Sequence, residues 1–285
     1  MTDTIIVGGG LFGQIIAAGL RAAGQDVRVL DNRQPLAGSG PAACLMKPSW
    51  FSSLGKEVYE PSLALLDRLY GVRDLPFVVE VGKLGKISST TVHWCDPAMI
   101  LSGPTEQWTV TLVEPGQVAV SGPGAARGHD LLEATNVIVA AGIWSNHLLP
   151  ARYAQQGLRG TSTLLPGHHP PVGKIRAWAP YKQLVGFDRG DGLWVGDGTS
   201  IKMENWTDAR TREVVDREWR FAREMVDLAP ADPRRVLSGI RPYAKGHKPC
   251  LLEQVEPGLW VASGGAKNGT LAAGWAAHEL IGRLT

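Results

Sequence analysis

The residues with the clearest chemical meaning lie within the first 31 positions of the chain. Gly8, Gly10 and Gly13 form a G-x-G-x-x-G pattern. An apolar strand at 4–7 precedes this pattern, and an apolar helix at 11–23 follows it. In such a turn the first glycine permits a tight bend, the second admits a pyrophosphate, and the third lets helix and strand pack closely. Because the helix N-terminus also presents free N–H groups and a positive dipole, the sequence predicts a dinucleotide-binding turn.

An acidic residue completes this unit at the end of a second apolar strand, at 27–30. Asp31 follows Gly13 by 18 residues, where a carboxylate can bind both hydroxyls of a ribose. The same negative charge would repel a 2′-phosphate, so FAD and NAD both fit the pattern better than NADP does. Two apolar strands joined by a helix also indicate a βαβ unit in a buried parallel sheet.

The composition is that of an ordinary globular protein. The chain has 285 residues, of which 44% are hydrophobic and 20% charged, which excludes a disordered protein and fits two domains or one large one. Cys44, Cys95 and Cys250 are widely spaced, so we expect neither a disulfide framework nor a metal site. No apolar run approaches about 18 residues and the N-terminus lacks a basic leader, which predicts a cytoplasmic protein without a membrane span.

The small net charge of +2 hides an asymmetry along the chain. Residues 1–150 carry 10 basic and 13 acidic side chains, whereas residues 151–285 carry 19 and 14. A basic second half favours an anionic partner there. An uneven but ordinary solvated surface explains the asymmetry equally well.

The remaining pattern alternates between helical and strand periodicity. The charged stretch at 210–223 has helical spacing and is typical of a solvated helix face with salt bridges. The predicted elements are a helix at 53–70, short strands within 76–122, a buried strand at 137–141, an antiparallel sheet within 172–200, a helix at 209–228, strands at 236–242, 251–255 and 259–263, and a helix at 270–284.

Four segments together resemble the FAD-dependent D-amino-acid oxidase superfamily, and within it glycine oxidase and sarcosine oxidase. The first is the glycine turn. The second, at 42–48, resembles the small-residue loop that passes beside the flavin in that family. The third, at 137–145, resembles a V-V-x-A-A-G-x-W-S signature, and the fourth, from 239–242 to 264–269, resembles paired G-L-R-P and G-H-G-R-N-G signatures. These segments occur in the family's order along the chain.

The resemblance implies an α/β fold, α+β overall. A Rossmann-like FAD-binding domain would be interleaved with a smaller antiparallel-sheet substrate domain. The FAD-binding domain would comprise residues 1–75, 105–150 and 236–285. The substrate domain would comprise residues 76–104 and 151–235.

The resemblance also implies FAD as a noncovalent cofactor, because neither Cys nor His stands at the positions where some members attach the flavin. It assigns a set of residues to the FAD site. They are Gly8, Gly10, Leu11, Phe12, Gly13, Asp31, Asn32, Ala43, Met46, Val110, Ala141, Gly142, Trp144, Gly264, Gly265, Lys267, Asn268, Gly269 and Thr270.

Four residues are candidates for binding the substrate. Arg241 matches the family's carboxylate-binding arginine, and Lys267 stands where glycine oxidases place an arginine. Tyr181 and Tyr243 could orient the substrate through their hydroxyl groups. Each has a structural alternative: a buried ion pair for Arg241, a solvated loop for Lys267, and half-buried aromatic packing for the tyrosines.

The implied reaction is the oxidative cleavage of a C–N bond in a glycine-type amine, through hydride transfer to flavin N5 and hydrolysis of the imine, with O₂ or another electron acceptor. The substrate could be a small amino acid or secondary amine. It could also be the glycine arm of a modified nucleobase in nucleic acid, since a substrate domain shortened near 95–97 and a basic second half would suit a bulky polyanion.

Two other classes remain open at this point. The first is an NAD-dependent dehydrogenase, against which the segment at 264–269 argues. The second is a non-catalytic FAD-binding assembly protein, against which the presence of both Arg241 and Lys267 argues.

Overall fold

A computed structural model describes most of the chain. The described residues are 2–34, 36–47, 49, 54–81, 86–122, 129–179, 182–198, 201–229 and 232–285. Tyr181, one of the candidate substrate residues, lies outside them.

The described elements alternate helices and strands. In chain order they are β1 (Thr2–Val7), α1 (Leu11–Ala22), β2 (Val27–Asp31), β3 (Leu45–Met46), α2 (Lys56–Tyr70), β4 (Arg73–Val81), β5 (Lys86–Trp94), α3 (Pro97–Leu101), β6 (Glu106–Gln107), β7 (Thr109–Glu114), β8 (Gln117–Ser121), β9 (Asp130–Val139), β10 (Gln156–Leu165), β11 (Gly173–Ala179), β12 (Lys182–Asp188), β13 (Leu193–Gly196), β14 (Ile201–Lys202), α4 (Asp208–Ala222), β15 (Arg235–Tyr243), β16 (Leu251–Glu256), β17 (Leu259–Ser263) and α5 (Gly269–Leu284).

The first sheet has the strand order β16-β17-β9-β1-β2-β6, and the β7–β8 hairpin extends from β9. Strand β1 is parallel to β2 and β9, and β17 is parallel to β9, so the predicted βαβ unit is confirmed. One face packs against α1, α2 and α5 through fully buried side chains such as Ile16, Leu66 and Leu271. Burial on both faces explains why the paired segments at 5–7 of β1, 137–139 of β9 and 259–262 of β17 are entirely apolar.

The second sheet has the order β14-β10-β13-β12-β11-β4-β5-β3, with β15 also paired to β10. It is antiparallel except for the β4–β11 pair, as predicted for 172–200. Helix α4 packs on one face, where Phe221 meets Leu184 and Val195. Strand β15 belongs to this sheet although its residues fall within the predicted FAD-binding segment at 236–285, and the division into domains stays a prediction.

Two helix boundaries differ from the predicted ones. Helix α2 begins at Lys56 rather than 53, and residue 53 lies outside the described part of the chain. Helix α4 ends at Ala222 rather than 228, because Glu224 and Met225 donate to carbonyls three residues back and tighten the last turn.

The segment at 95–97, where the resemblance implied a shortened domain, leads into the five-residue helix α3. The Asp96 side chain accepts a hydrogen bond from Ala98 and caps this helix. Strand β6 of the first sheet follows at Glu106. None of the helices in the described ranges combines the length and apolar character needed to cross a bilayer.

Candidate active site

A cavity of about 1300 Å³ is lined by residues from both sheets. This volume exceeds the roughly 300–1,000 Å³ usual for one small ligand, so it can hold a dinucleotide together with a second molecule. The predicted cofactor residues that line it are Gly8, Gly10, Leu11, Phe12, Asp31, Asn32, Ala43, Val110, Ala141, Gly142, Trp144, Gly265, Lys267, Asn268, Gly269 and Thr270.

The glycine turn leaves no room for side chains. Gly8 has a φ of +112°, and a Cβ there would lie 2.6 Å from the carbonyl oxygen of Ala140. A Cβ on Gly10 would lie 2.7 Å from the Ser39 hydroxyl, which is itself part of the cavity wall. Gly13 lies behind the turn, where a Cβ would overlap the carbonyl oxygen of Gly8. The backbone of the turn is therefore open to a ligand on one side and closely packed on the other.

The N-terminus of α1 faces the cavity through Leu11 and Phe12. Gly10 provides no side-chain cap, and the Leu11 N–H donates instead to Ser39 Oγ at 2.9 Å. The aligned peptide dipoles of this 12-residue helix favour negative charge at that end. This arrangement suits the pyrophosphate of a dinucleotide.

Asp31 lies at the end of β2, next to the glycine turn. Its two carboxylate oxygens accept hydrogen bonds from the backbone N–H groups of Gly9 and Arg33. Each oxygen keeps a second lone pair, so the carboxylate can still accept from ribose hydroxyls. The predicted ribose contact is thus compatible with a role in holding the turn.

Replacement of Asp31 by Ala is expected to weaken FAD binding by about 100-fold. Two charge-assisted hydrogen bonds would be lost, each contributing roughly 1.5–3 kcal/mol and partly offset by water. The measurement is the amount of FAD that the protein retains after dialysis, determined from flavin fluorescence. Asp31→Asn is the control for shape, and retention equal to wild type in Asp31→Ala would show that Asp31 does not bind the ribose.

Three predicted cofactor residues lie behind the cavity wall instead of lining it. They are Gly13, Met46 and Gly264. Met46 is fully buried in the core under α5, and a Cβ on Gly264 would lie 2.6 Å from the Cβ of Ala244. These residues shape the wall from behind, which a motif match along the chain does not distinguish from direct contact.

Arg241 and Lys267 both line the cavity, one from a strand of the second sheet and the other from the turn that follows β17 of the first. Arg241 is on β15, opposite Leu158 of β10, and Lys267 is in the turn before α5. Burial lowers the pKa of Arg241, against the opposing effects of Asp197 and Glu218. The pKa of Lys267 is lowered by partial loss of water around its ammonium group and by Arg241, and is raised by Asp197.

Tyr243 also lines the cavity, and it is 37% exposed. Its backbone forms an isolated bridge with Gly265, which links β15 to the turn that carries Lys267. The structure therefore brings together three of the four candidate substrate residues, Arg241, Lys267 and Tyr243.

Sequence reasoning missed two buried acids beside this cluster. Asp197, directly after β13, is 5% exposed and accepts a hydrogen bond from Arg217 of α4. Glu218 is fully buried, and the Thr163 hydroxyl donates to its Oε2 at 2.7 Å. The prediction that 210–223 forms a solvated helix face is thus wrong for Glu218, which points into the sheet. A signal for Asp197 was available, because glycines flank it on both sides in the sequence.

Burial raises the pKa of Glu218 to about 8. The group is therefore neutral in the folded protein across a pH range in which it is ionised in the unfolded chain. The contribution of neutral Glu218 to the free energy of unfolding is fully present below the pKa of a glutamate in the unfolded chain, about 4.3. It declines as the pH rises towards 8, because the unfolded chain then loses a proton that the folded protein keeps.

The variant Glu218→Gln is expected to lose this decline, because the amide stays neutral. The difference in unfolding free energy between Glu218→Gln and wild type should increase in favour of the variant by about 3 kcal/mol from pH 5 to pH 8. Thermal melts across that range measure it. Glu213→Gln, on an exposed acid of the same helix, is the control, and parallel pH profiles for wild type and Glu218→Gln would contradict the expectation.

The chain was compared with protein families and with solved structures. The sequence model of a family described as DAO, FAD-dependent oxidoreductase, matches residues 105–283. None of the curated proteins compared with the chain matches it.

Among solved structures, glycine oxidase from Geobacillus kaustophilus has a TM-score of 0.71 at 17% identity, covering 99% of this chain and 95% of its own. Iminodiacetate oxidase from Chelativorans sp. BNC1 gives 0.70 at 16% identity, covering 98% and 94%. L-proline dehydrogenase from P. horikoshii gives 0.75 at 13% identity, covering 99% and 93%. At these identities the likeness concerns the fold.

Proposed function

The chain belongs to the DAO family of FAD-dependent oxidoreductases, and from this premise we propose that it oxidises a glycine-type amine that carries a free carboxylate. The C–N bond of this amine is the bond that is finally cleaved. The match to an FAD-dependent family argues against the alternative of an NAD-dependent dehydrogenase. Convergence of Arg241 and Lys267 in the cavity is the observation that carries the proposal.

The residues of the cavity fit FAD. The side-chain-free turn at Gly8 and Gly10 and the N-terminus of α1 would hold the pyrophosphate, and Asp31 would hold the ribose. The segment at 265–270, which includes the first residues of α5, would lie against the flavin. Bound FAD supplies the two-electron oxidation, in which a hydride leaves the substrate carbon next to nitrogen and water then hydrolyses the resulting imine. We propose that this binding is noncovalent.

The two cations determine which amine fits. The Arg241 guanidinium is planar and can bind a carboxylate through two hydrogen bonds, and the Lys267 ammonium adds a second positive charge. The cavity lining also includes apolar side chains such as those of Ile175 and Val185, and an amine without an acid group would bring no negative charge to the two cations. A substrate carboxylate brings that charge and offsets the cost of holding two like charges in one cavity.

One further polar group faces the rest of the substrate. Ser162 of β10 lines the cavity, is 2% exposed, and its hydroxyl has no hydrogen-bond partner among the described residues. It shares a sheet face with Leu158, and therefore with Arg241, because alternate residues of a strand point the same way. This hydroxyl offers a hydrogen bond to an uncharged part of the substrate.

The glycine arm of a modified nucleobase is the second candidate substrate, and the cavity volume favours it. The basic excess of the second half is offset in part by the first half, because Arg176 pairs with Glu80. Other ion pairs of the second half join residues of that half and leave its net charge unchanged. They include Arg176 with Glu224, Arg189 with Asp191, Arg210 with Glu213, Arg217 with Asp197, and Arg283 with Glu279.

The test is anaerobic reduction of the flavin in the purified holoenzyme. Sarcosine and glycine are expected to bleach its absorbance, whereas dimethylamine, which is sarcosine without its carboxylate, is not. A glycinylated oligonucleotide is mixed in parallel, and reduction that slows steeply with salt would identify a nucleic-acid substrate. Equal reduction by dimethylamine and sarcosine would overturn the proposed carboxylate site.

A further inference from the structure

A buried acid, Asp197, lies near the two cations of the cavity. Asp197 follows β13, and its neighbours Gly196 and Gly198 both line the cavity. A Cβ placed on Gly198 would lie 3.7 Å from the Lys267 ammonium nitrogen. Because neither neighbour has a side chain, little separates the Asp197 backbone from the space that the cations occupy.

Asp197 is fixed in place from the other side of the sheet. Its carboxylate, with 2% of the side chain exposed, pairs with Arg217 of α4, and Arg217 also lies 3.7 Å from Glu213. The buried Glu218 of the same helix lies near Asp197 and accepts a hydrogen bond from Thr163 of β10. The ion pair with Arg217 ties Asp197 to α4, so its position does not depend on a bound substrate.

The charged and titratable groups around Lys267 come from three elements. Asp197 lies at the end of β13, and Arg241 and Tyr243 are on β15. Glu218 is on α4 and raises the pKa of Arg241, the cation next to Lys267. Of these, Asp197 raises the pKa of Lys267 and Arg241 lowers it. Asp197 therefore counteracts both the neighbouring cation and the partial loss of water.

We propose that Asp197 is a positioning residue for the substrate carboxylate site, which keeps Lys267 protonated and holds it beside Arg241. This inference rests on the proposed function. Asp197 places a negative charge near the two positive charges of Arg241 and Lys267. The chain thus carries an internal carboxylate that lets two cations share a small space before the substrate arrives.

The experiment measures binding of propionate, a carboxylate without an amine, to the oxidised holoenzyme. The dissociation constant is followed from pH 6, where a carboxylate is ionised, to pH 10. Binding is read from the flavin spectrum and, separately, from tryptophan fluorescence, since Trp194 lines the cavity. In wild type, binding should weaken as the pH rises through the pKa of Lys267.

In Asp197→Asn the midpoint of this weakening is expected to move down by about 1–2 pH units, because an opposite charge near the ammonium is removed. Asp197→Ser is measured in parallel, so that a folding defect of one variant does not decide the result. Lys267→Met should remove the pH dependence of propionate binding. The double variant Lys267→Met/Asp197→Asn should also bind propionate without pH dependence. Asp191→Asn, which removes an exposed Asp–Arg pair, should leave the midpoint unchanged.

An unmoved midpoint in both Asp197 variants, with wild-type affinity at pH 6, overturns the inference and leaves the proposed function intact. Failure of wild type to bind propionate at any pH, together with no flavin reduction by sarcosine, overturns the proposed function and this inference with it. A lowered midpoint in the Asp197 variants that disappears with Lys267→Met supports the inference.

Discussion

Arg241→Ala is expected to lower kcat/KM for the carboxylate-bearing amine by about 30- to 1000-fold while FAD stays bound. A bidentate, charge-assisted contact to a carboxylate corresponds to roughly 2–4 kcal/mol of lost transition-state binding. Arg241 is on a strand of the second sheet, whereas the glycine turn and Asp31 are on the first, so the two binding functions separate. The measurement is anaerobic flavin reduction by the best substrate, with FAD content determined on the same sample.

Arg241→Lys should restore this activity only in part, because an ammonium is a point charge and lacks the planar fork. Gln183, which also lines the cavity, provides a control position, and Gln183→Ala should have a much smaller effect. If the flavin of Arg241→Ala is reduced by the substrate as fast as that of wild type, Arg241 is a structural residue. The substrate carboxylate must then be bound by another residue, and Lys267 would be tested next.

The sequence predicts best the part of the site that is built by residues close together in the chain. Strand β1, helix α1 and strand β2 follow within two residues of the predicted bounds. Their apolar runs are contiguous, and the glycines between them serve a turn that forms within a few residues. The family signature at 264–269 is equally local, because it covers a turn and the start of α5.

The missed acids depend on contacts between residues far apart in the chain. Glu218 meets Thr163 across 55 positions, and the Asp197–Arg217 pair spans 20. Helical periodicity does carry a signal for Glu218, because Val214, Phe221 and Ala222 lie four residues before it and three and four after it, on the same buried face of α4. What the pattern within α4 does not show is the hydrogen-bond partner across the sheet, Thr163, without which burial of this carboxyl group is costly.

The anionic partner suggested by charge composition stays a prediction, because composition does not say where each charge lies. The excess of basic residues after position 150 suggested an anionic partner, but a net charge counts side chains without their neighbours. Arg176, for example, pairs with Glu80 from the first half of the chain and with Glu224 from the second. An ion pair across the two halves removes a basic group from the surface available to a polyanion, whatever the totals of each half.

Gly13→Ala is expected to weaken FAD binding strongly. A Cβ at this position would overlap the carbonyl oxygen of Gly8 and lie 3.3 Å from Ile6 Cγ2, so α1 must move away from β1. Such overpacking costs about 1–3 kcal/mol of stability, although alanine is intrinsically the better helix former by about 1 kcal/mol. A displacement of about 1 Å at the N-terminus of α1 would misplace the groups that face the pyrophosphate and weaken binding by about 100-fold.

Gly282→Ala is the matched control for this variant. Gly282 lies in α5, and a Cβ there would meet nothing within 4 Å, so alanine should raise stability by up to about 1 kcal/mol and leave FAD bound. Urea unfolding of the apoprotein gives the stability of each variant, and titration with FAD gives the affinity. A Gly13→Ala protein that is as stable as Gly282→Ala and binds FAD like wild type would show that α1 can shift without consequence. The third glycine would then have no packing role, and the dinucleotide turn would depend on Gly8 and Gly10 alone.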